Sequence, residues 1–132
     1  MKKTIYYWSP FIDKVATIKA VYNSVYCINK FSSNDLSAKI IDVFGEWSNH
    51  NYFNQNKKNF LTLTNLNFLN SFSSVGYVKS RLKYLLIFFL CFLPLKKFIQ
   101  KVKPDFIIIH LITSLPLFLN LLFKSETKFI LR

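Results

Sequence analysis

A chain of 132 residues has room for one α/β domain and is too short for two. Hydrophobic residues make up 52% of it and aromatics 18%, which excludes a disordered tail and allows a substantial core. The formal net charge of +12 is almost all lysine, so a solvated basic face is the first expectation, an anionic membrane surface the second, and no nucleic acid partner is expected.

Thr4–Trp8 (T-I-Y-Y-W) is β-branched and aromatic and is closed by Ser9-Pro10, which predicts a first strand and a turn. The apolar start is short and is cut by Ser9-Pro10 and Asp13, with no small-residue cleavage site, so no signal peptide is read and a cytoplasmic location is expected. Val15, Ile18, Val21, Tyr22, Val25 and Ile28 then recur at spacings of three and four, the pattern of an amphipathic helix ended by Ser32, Ser33 and Asn34. Ala38–Phe44 reads as a second strand turned by Gly45, completing a βαβ unit. Glu46–Asn59 is polar and rich in asparagine and reads as a loop. Phe60–Thr64 alternates apolar and polar residues, as a third strand near an edge does. Asn65–Gly76 is irregular.

Tyr77–Val102 is a long helical pattern in which Pro94 either kinks the helix or divides it. Its middle, Tyr84–Leu95, is twelve apolar residues between Lys83 and Lys96. A spanning helix needs about twenty, so three readings stand: a buried helix first, a membrane-surface helix second, a span last. Cys27 and Cys91 lie far apart in apolar helical stretches and match neither metal spacing nor a disulfide framework, so reduced core thiols are expected.

Pro104 stops that helix, and Phe106–Ile109 is a short apolar run suited to a strand covered on both faces. His110 stands at its carboxyl end. Thr113 or Ser114 can cap a following helix that ends near Phe123, with Pro116 tolerated in its first turn. Lys128–Arg132 begins a fifth strand at a sheet edge, where the sequence looks cut.

These elements predict an α/β, doubly wound parallel sheet of order about 3-2-1-4-5, over one domain, residues 1–132. Its topological switch falls between the first strand and the one ending at His110, so Ser9–Lys14 and Leu111–Pro116 are expected to line a crevice where ligands bind. No G-x-G-x-x-G, P-loop, nucleophile elbow or cysteine–histidine metal cluster is present, so neither a dinucleotide nor a metal is expected. Asp42 and Asp105 are the acidic residues in strands, and neither is read as well placed for a phosphoacceptor. Ser9 and Thr113 sit in the crevice loops. His110 is either a group that orients or deprotonates a substrate hydroxyl, or a histidine bonded to nearby backbone. Lys14 is either an anion contact beside a helix N-terminus or a solvated lysine. Glu46 and Trp47 either contact a sugar, by hydrogen bonding and ring stacking, or anchor the loop. Asp13 is read as a helix N-terminal charge.

Two stretches carry a resemblance. Y-Y-W-S-P-F-I-D-K-V-A-T-I-K-A-V, and K-P-D-F-I-I-I-H-L-I-T-S-L-P-L followed by K-F-I-L-R, resemble the N-terminal domain of family 4 glycosyltransferases of the GT-B architecture. The likeness runs over essentially the whole chain. It implies a Rossmann-like sheet forming the N-terminal half of a GT-B fold, in a bacterial, retaining enzyme of cell-surface polysaccharide synthesis. Such an enzyme moves a sugar from a nucleotide-sugar donor to a glycan or lipid-linked acceptor at the inner face of the membrane. The resemblance implies that this half holds the acceptor, while a C-terminal half grips the donor through glutamates seven residues apart. No cofactor beyond that donor substrate is implied. His110 matches the first histidine of the family's H-x-H, with Ile112 at the second, and Ser9–Lys14 replaces the usual glycine pair. Two other classes are a small membrane-associated interaction protein organised on Tyr84–Leu95 and a nucleic-acid binder using the lysine surplus.

Overall fold

The computed structural model describes residues 3–10, 16–32, 35–48, 50–64, 77–110, 114–122 and 125–132. Strands β1 (Lys3–Trp8), β2 (Leu36–Asp42), β3 (Phe60–Thr62), β4 (Phe106–Ile109) and β5 (Lys128–Leu131) form one sheet in the order β3-β2-β1-β4-β5. Every neighbouring pair is parallel. The helices are α1 (Ala16–Phe31), α2 (Asn51–Gln55), α3 (Tyr77–Val102) and α4 (Ser114–Leu122), with a 3₁₀ turn at Lys57–Asn59. This is the expected Rossmann-like topology, with the switch between β1 and β4.

Alternation along the strands builds two cores. Tyr6, Trp8, Ile41, Ile107 and Ile109 pack with Ile87, Cys91, Leu95, Phe98 and Ile99 of α3 and Leu119 of α4. On the other face Tyr7, Ala38 and Ile40 pack with Ile18, Val21, Tyr22 and Val25 of α1, and with Trp47 and Phe60. β4 serves both faces, because Ile108 lies against the α1 side. A short run of isoleucines suits such a strand because each side chain, left or right, gains about 1.5–3 kcal/mol from burial.

Several expected boundaries move, each for a local reason. β2 runs from Leu36 to Asp42 instead of Ala38–Phe44, because the Glu46 carboxylate takes the backbone N–H groups of Val43 (3.0 Å) and Phe44 (2.8 Å) and so ends strand pairing there. Gly45, at φ 83°, then turns the chain in the region glycine tolerates best. β3 closes at Thr62, although the N–H groups of Leu63 and Thr64 still donate to Asp42 O (2.8 Å) and Val43 O (3.0 Å). The expected loop 46–59 contains α2, which weak asparagine propensity hides. Tertiary contacts hold it: the Tyr52 ring stacks on Tyr22 at 4.2 Å, and Asn56 Nδ2 donates to the Tyr22 hydroxyl at 2.7 Å.

α3 continues through Pro94 as one helix, so the division read as one alternative does not occur. It ends where Lys103 takes a left-handed conformation (φ 48°), its N–H donating to Ile99 O at 2.9 Å, and Pro104 blocks continuation. α3 is buried along one face only, so the reading of Tyr84–Leu95 as a buried helix holds for Ile87, Cys91 and Leu95 and fails for Leu85, Phe89 and Leu93, which are exposed. Cys27 is exposed, correcting its reading as a core thiol, whereas Cys91 is buried and its thiol pKa is pushed well up by burial.

β3 is too short to reach the first half of β2, and Asn29 at the end of α1 fills the gap. Its Oδ1 accepts from Ala38 N–H (2.8 Å), and its Nδ2 donates to Ala38 O (2.9 Å) and to Asn59 Oδ1 (3.2 Å). The side-chain amide thus stands in for the missing stretch of neighbouring strand. Asn29→Ala is expected to cost about 2 kcal/mol, because it strands both backbone groups of Ala38. Urea denaturation checks this, and Asn29→Asp, which keeps the acceptor and loses the donor, should fall between the two.

Candidate functional site

The register of the sheet places five polar residues in one row across its carboxyl edge. Trp8 is level with Ile41 and with Ile109, Ile109 with Leu131, and Asp42 with Thr62. One position further along lie Ser9 after β1, His110 after β4 and Arg132 after β5, level with Asp42 and Thr62. The ladder reaches this row, since His110 N–H donates to Trp8 O and Arg132 N–H to Ile109 O, both at 2.9 Å. Alternation puts the row on the α1 side with Tyr7, Ile40 and Ile108, and neighbours in it stand about 5 Å apart.

Side-chain contacts agree with that side. The imidazole of His110 stacks on the Tyr7 ring at 6.3 Å and 18°. The Thr62 hydroxyl donates to Asp42 Oδ2 at 3.4 Å. The Arg132 charge acts on both Tyr7 and His110. The middle of the row is buried: Ser9 and Asp42 fully, and His110 with 8% exposed.

Ser9 Oγ, Asp42 Oδ1 and His110 Nε2 are nevertheless without hydrogen-bond partners, as are the indole Nε1 atoms of Trp8 and Trp47. An orphaned buried polar atom costs about 1–3 kcal/mol, and native interiors leave few of them. With Thr127 Oγ1 there are six such atoms among the described residues, and four of the six lie on residues at the carboxyl ends of the three central strands, where open α/β sheets receive ligands. On the α1 side Asp42 presents acceptors, and Ser9 and neutral His110 present groups able to donate or accept, while the Trp8 indole lies in the core on the opposite, α3 face of the sheet.

The electrostatics favour hydroxyl groups over anions. His110 is held neutral because burial, and secondarily the Arg132 charge, lower its pKa. The carboxyl of Glu46 is pushed well above its ordinary range, mainly by burial, and further by hydrogen bonding to Asp42 and its charge; the N–H groups of Phe44 and Val43 oppose this. The Glu46 carboxyl therefore binds a proton more tightly than an exposed carboxyl does, with Asp42 as its hydrogen-bond partner. No glycine-rich turn offers amides to a phosphate. Among the described residues, no group of three or more His, Cys, Asp and Glu side chains is placed to hold a metal ion.

Of the residues singled out in the sequence, Ser9 and His110 come together in the row. Glu46 and Trp47 do not face a ligand. Glu46 is 4% exposed with both carboxylate oxygens on backbone N–H groups, and Trp47 is fully buried against Phe60 (5.4 Å). The loop-anchor alternative holds for both, and ring stacking of Trp47 on a sugar is corrected, because no face of the indole is open. Lys14, Asp13, Thr113 and most of the loops Ser9–Lys14 and Leu111–Pro116 lie outside the described residues. Asp42 is the residue the sequence reading set aside as poorly placed. Its signal was its place as the last residue of an apolar strand in I-I-D, level with the end of β1.

A separate cavity of about 720 Å³ opens at the amino edge of the sheet, lined by Lys3, Lys103, Asp105, Phe106 and Lys128 among others. None of the expected site residues lines it. Comparisons of the chain with protein-family models, with curated proteins and with solved structures find no match.

Proposed function

We propose that this chain is the acceptor-holding domain of a nucleotide-sugar-dependent, retaining glycosyltransferase of GT-B architecture, acting in cell-surface polysaccharide synthesis. The observation that carries the reading is the buried row Asp42–Ser9–His110 with its unpartnered polar atoms at the switch point of a 3-2-1-4-5 sheet. Sugars offer several hydroxyl groups, each a donor and an acceptor, and a mixed set of neutral donors and acceptors beside one carboxylate matches them. The Asp42 carboxylate at the buried centre of the row suits sugar hydroxyl groups, while the Arg132 charge stands at its exposed end. The resemblance of the first and fourth strand regions to family 4 enzymes points the same way.

In this reading His110, neutral and oriented by stacking on Tyr7, meets the acceptor hydroxyl and serves as the catalytic residue. Asp42 and Ser9 fix the sugar ring beside it. The test is binding of a short-chain polyprenyl diphosphate carrying one hexose, measured by saturation-transfer NMR and calorimetry. Binding is expected for the chain as it stands and is expected to weaken about tenfold or more in Ser9→Ala and His110→Ala with the melting temperature retained. Undiminished binding in both variants, or binding of the sugar-free diphosphate just as tightly, would overturn the proposal.

A further inference from the structure

α3 carries a second apolar face that the core does not use. Val78, Leu82, Leu85, Phe89 and Leu93 are 51–69% exposed. At about 100° per residue they fall within an arc of roughly 80°, on the side of the helix opposite Ile87, Cys91 and Phe98. The stripe does not end with α3. Phe118 of α4 meets Phe88 edge-on at 5.6 Å and is itself 52% exposed, and Leu121 (82%) and Leu122 (56%) extend the apolar surface beside it. Such a surface, several hundred Å² and contiguous over two helices, exceeds the scattered apolar exposure of an ordinary soluble face.

The charges around it select what covers it. α3 contains six basic residues and no acidic one, and α4 contains no charge at all. The basic residues stand at both ends of the stripe and none interrupts its middle. Lys79 near one end and Lys97 near the other share a flank of the helix, both exposed. A flat, anionic, apolar-centred partner fits this pattern. A second copy of the chain does not, since each copy carries a net charge of +12 and would bring like-charged ends together. The uncharged middle of α3, Tyr84–Leu95, spans about 18 Å, against about 30 Å of bilayer hydrocarbon. Among the described residues, no helix is long and apolar enough to cross a membrane.

We infer that the α3–α4 face docks the domain on an anionic lipid bilayer, with α3 lying in the plane of the interface, its apolar stripe inserted and its lysines among the headgroups. Since α3 leads back from the carboxyl to the amino edge of the sheet, its Val78 end stands at the same edge as the polar row. The inference stands apart from the sugar reading, because it needs no residue of that row.

Co-sedimentation with vesicles tests it. The chain is expected to bind phosphatidylcholine vesicles containing phosphatidylglycerol, to release them as salt rises, and to bind pure phosphatidylcholine at least about tenfold more weakly. Leu85→Ser with Phe89→Ser, both at exposed positions, should lower binding by about tenfold or more at an unchanged melting temperature. Lys79→Glu with Lys97→Glu should remove the preference for phosphatidylglycerol. Absence of binding to either vesicle, or binding indifferent to both double variants, overturns the inference. So does a lipid-free dimer that Leu85→Ser with Phe89→Ser dissolves, because the face would then belong to a second copy.

Discussion

Trp47→Ala is expected to remove a large share of the domain's stability. The indole is fully buried between the end of β2 and α1, tilted against Phe60 at 5.4 Å and edge-on to His50 at 6.0 Å, in the core cluster that includes Ile40, Val21 and Val25. Truncating a buried tryptophan costs about 3–5 kcal/mol in lost burial and residual cavity. A domain of this size holds about 5–15 kcal/mol in all. The melting temperature is expected to fall on the order of 10–20 °C, read by circular dichroism. A variant that keeps its melting temperature and loses only sugar binding would return Trp47 to the stacking role the sequence also allowed.

Glu46 yields the second large effect, and its size depends on pH. Glu46→Ala strands the buried N–H groups of Val43 and Phe44, at about 1–3 kcal/mol each, so a loss of about 3 kcal/mol is expected. The native carboxyl also titrates well above its ordinary value of 4.5, chiefly through burial and then through Asp42. The folded chain therefore holds this proton more tightly than the unfolded chain. Unfolding releases it once the pH passes the ordinary carboxyl range, and this group's share of stability falls as pH rises from about 4.5 toward its raised native pKa. That slope is opposite to that of a salt-bridged carboxylate. Glu46→Gln keeps an acceptor for one N–H, donates to Asp42 and does not titrate. It should flatten the decline, so that its deficit relative to the parent, from the one N–H left without an acceptor, is larger at about pH 5 than at about pH 8. Urea denaturation at both values decides it. An unchanged slope in Glu46→Gln would show that the carboxyl is ionised in the folded chain.

The sheet was legible in the sequence because its strands are short apolar runs with hard ends. Ser9-Pro10 closes β1, Pro104 separates α3 from β4, and three consecutive isoleucines mark a strand buried on both faces, so order and switch point follow from connection rules. The end of β2 was not legible, because Val43 and Phe44 have strand composition and lose their ladder only to a carboxylate three and two residues ahead. α2 escaped notice for the same kind of reason: Asn51–Gln55 has weak helix propensity, and the stack of Tyr52 on Tyr22 that supports it joins residues thirty apart. For the site, His110 and Ser9 were visible as polar residues closing apolar runs. Asp42 was not, because its value lies in register: only pairing of Ile41 with Trp8 and of Trp8 with Ile109 sets Asp42, Ser9 and His110 side by side. Trp47 misled because an aromatic in a polar loop reads equally as a platform or an anchor, and burial alone separates the two.

The central claim is that ligands enter at the carboxyl edge, on the row Asp42–Ser9–His110. Mapping of backbone and indole N–H shifts by two-dimensional NMR, during titration with the hexose-bearing polyprenyl diphosphate, tests it most directly. Shifts concentrated at Ser9, Asp42–Val43 and His110 are the predicted result. Shifts at Lys3, Lys103, Asp105 and Lys128 instead, around the amino-edge cavity, with the row unmoved, would contradict it.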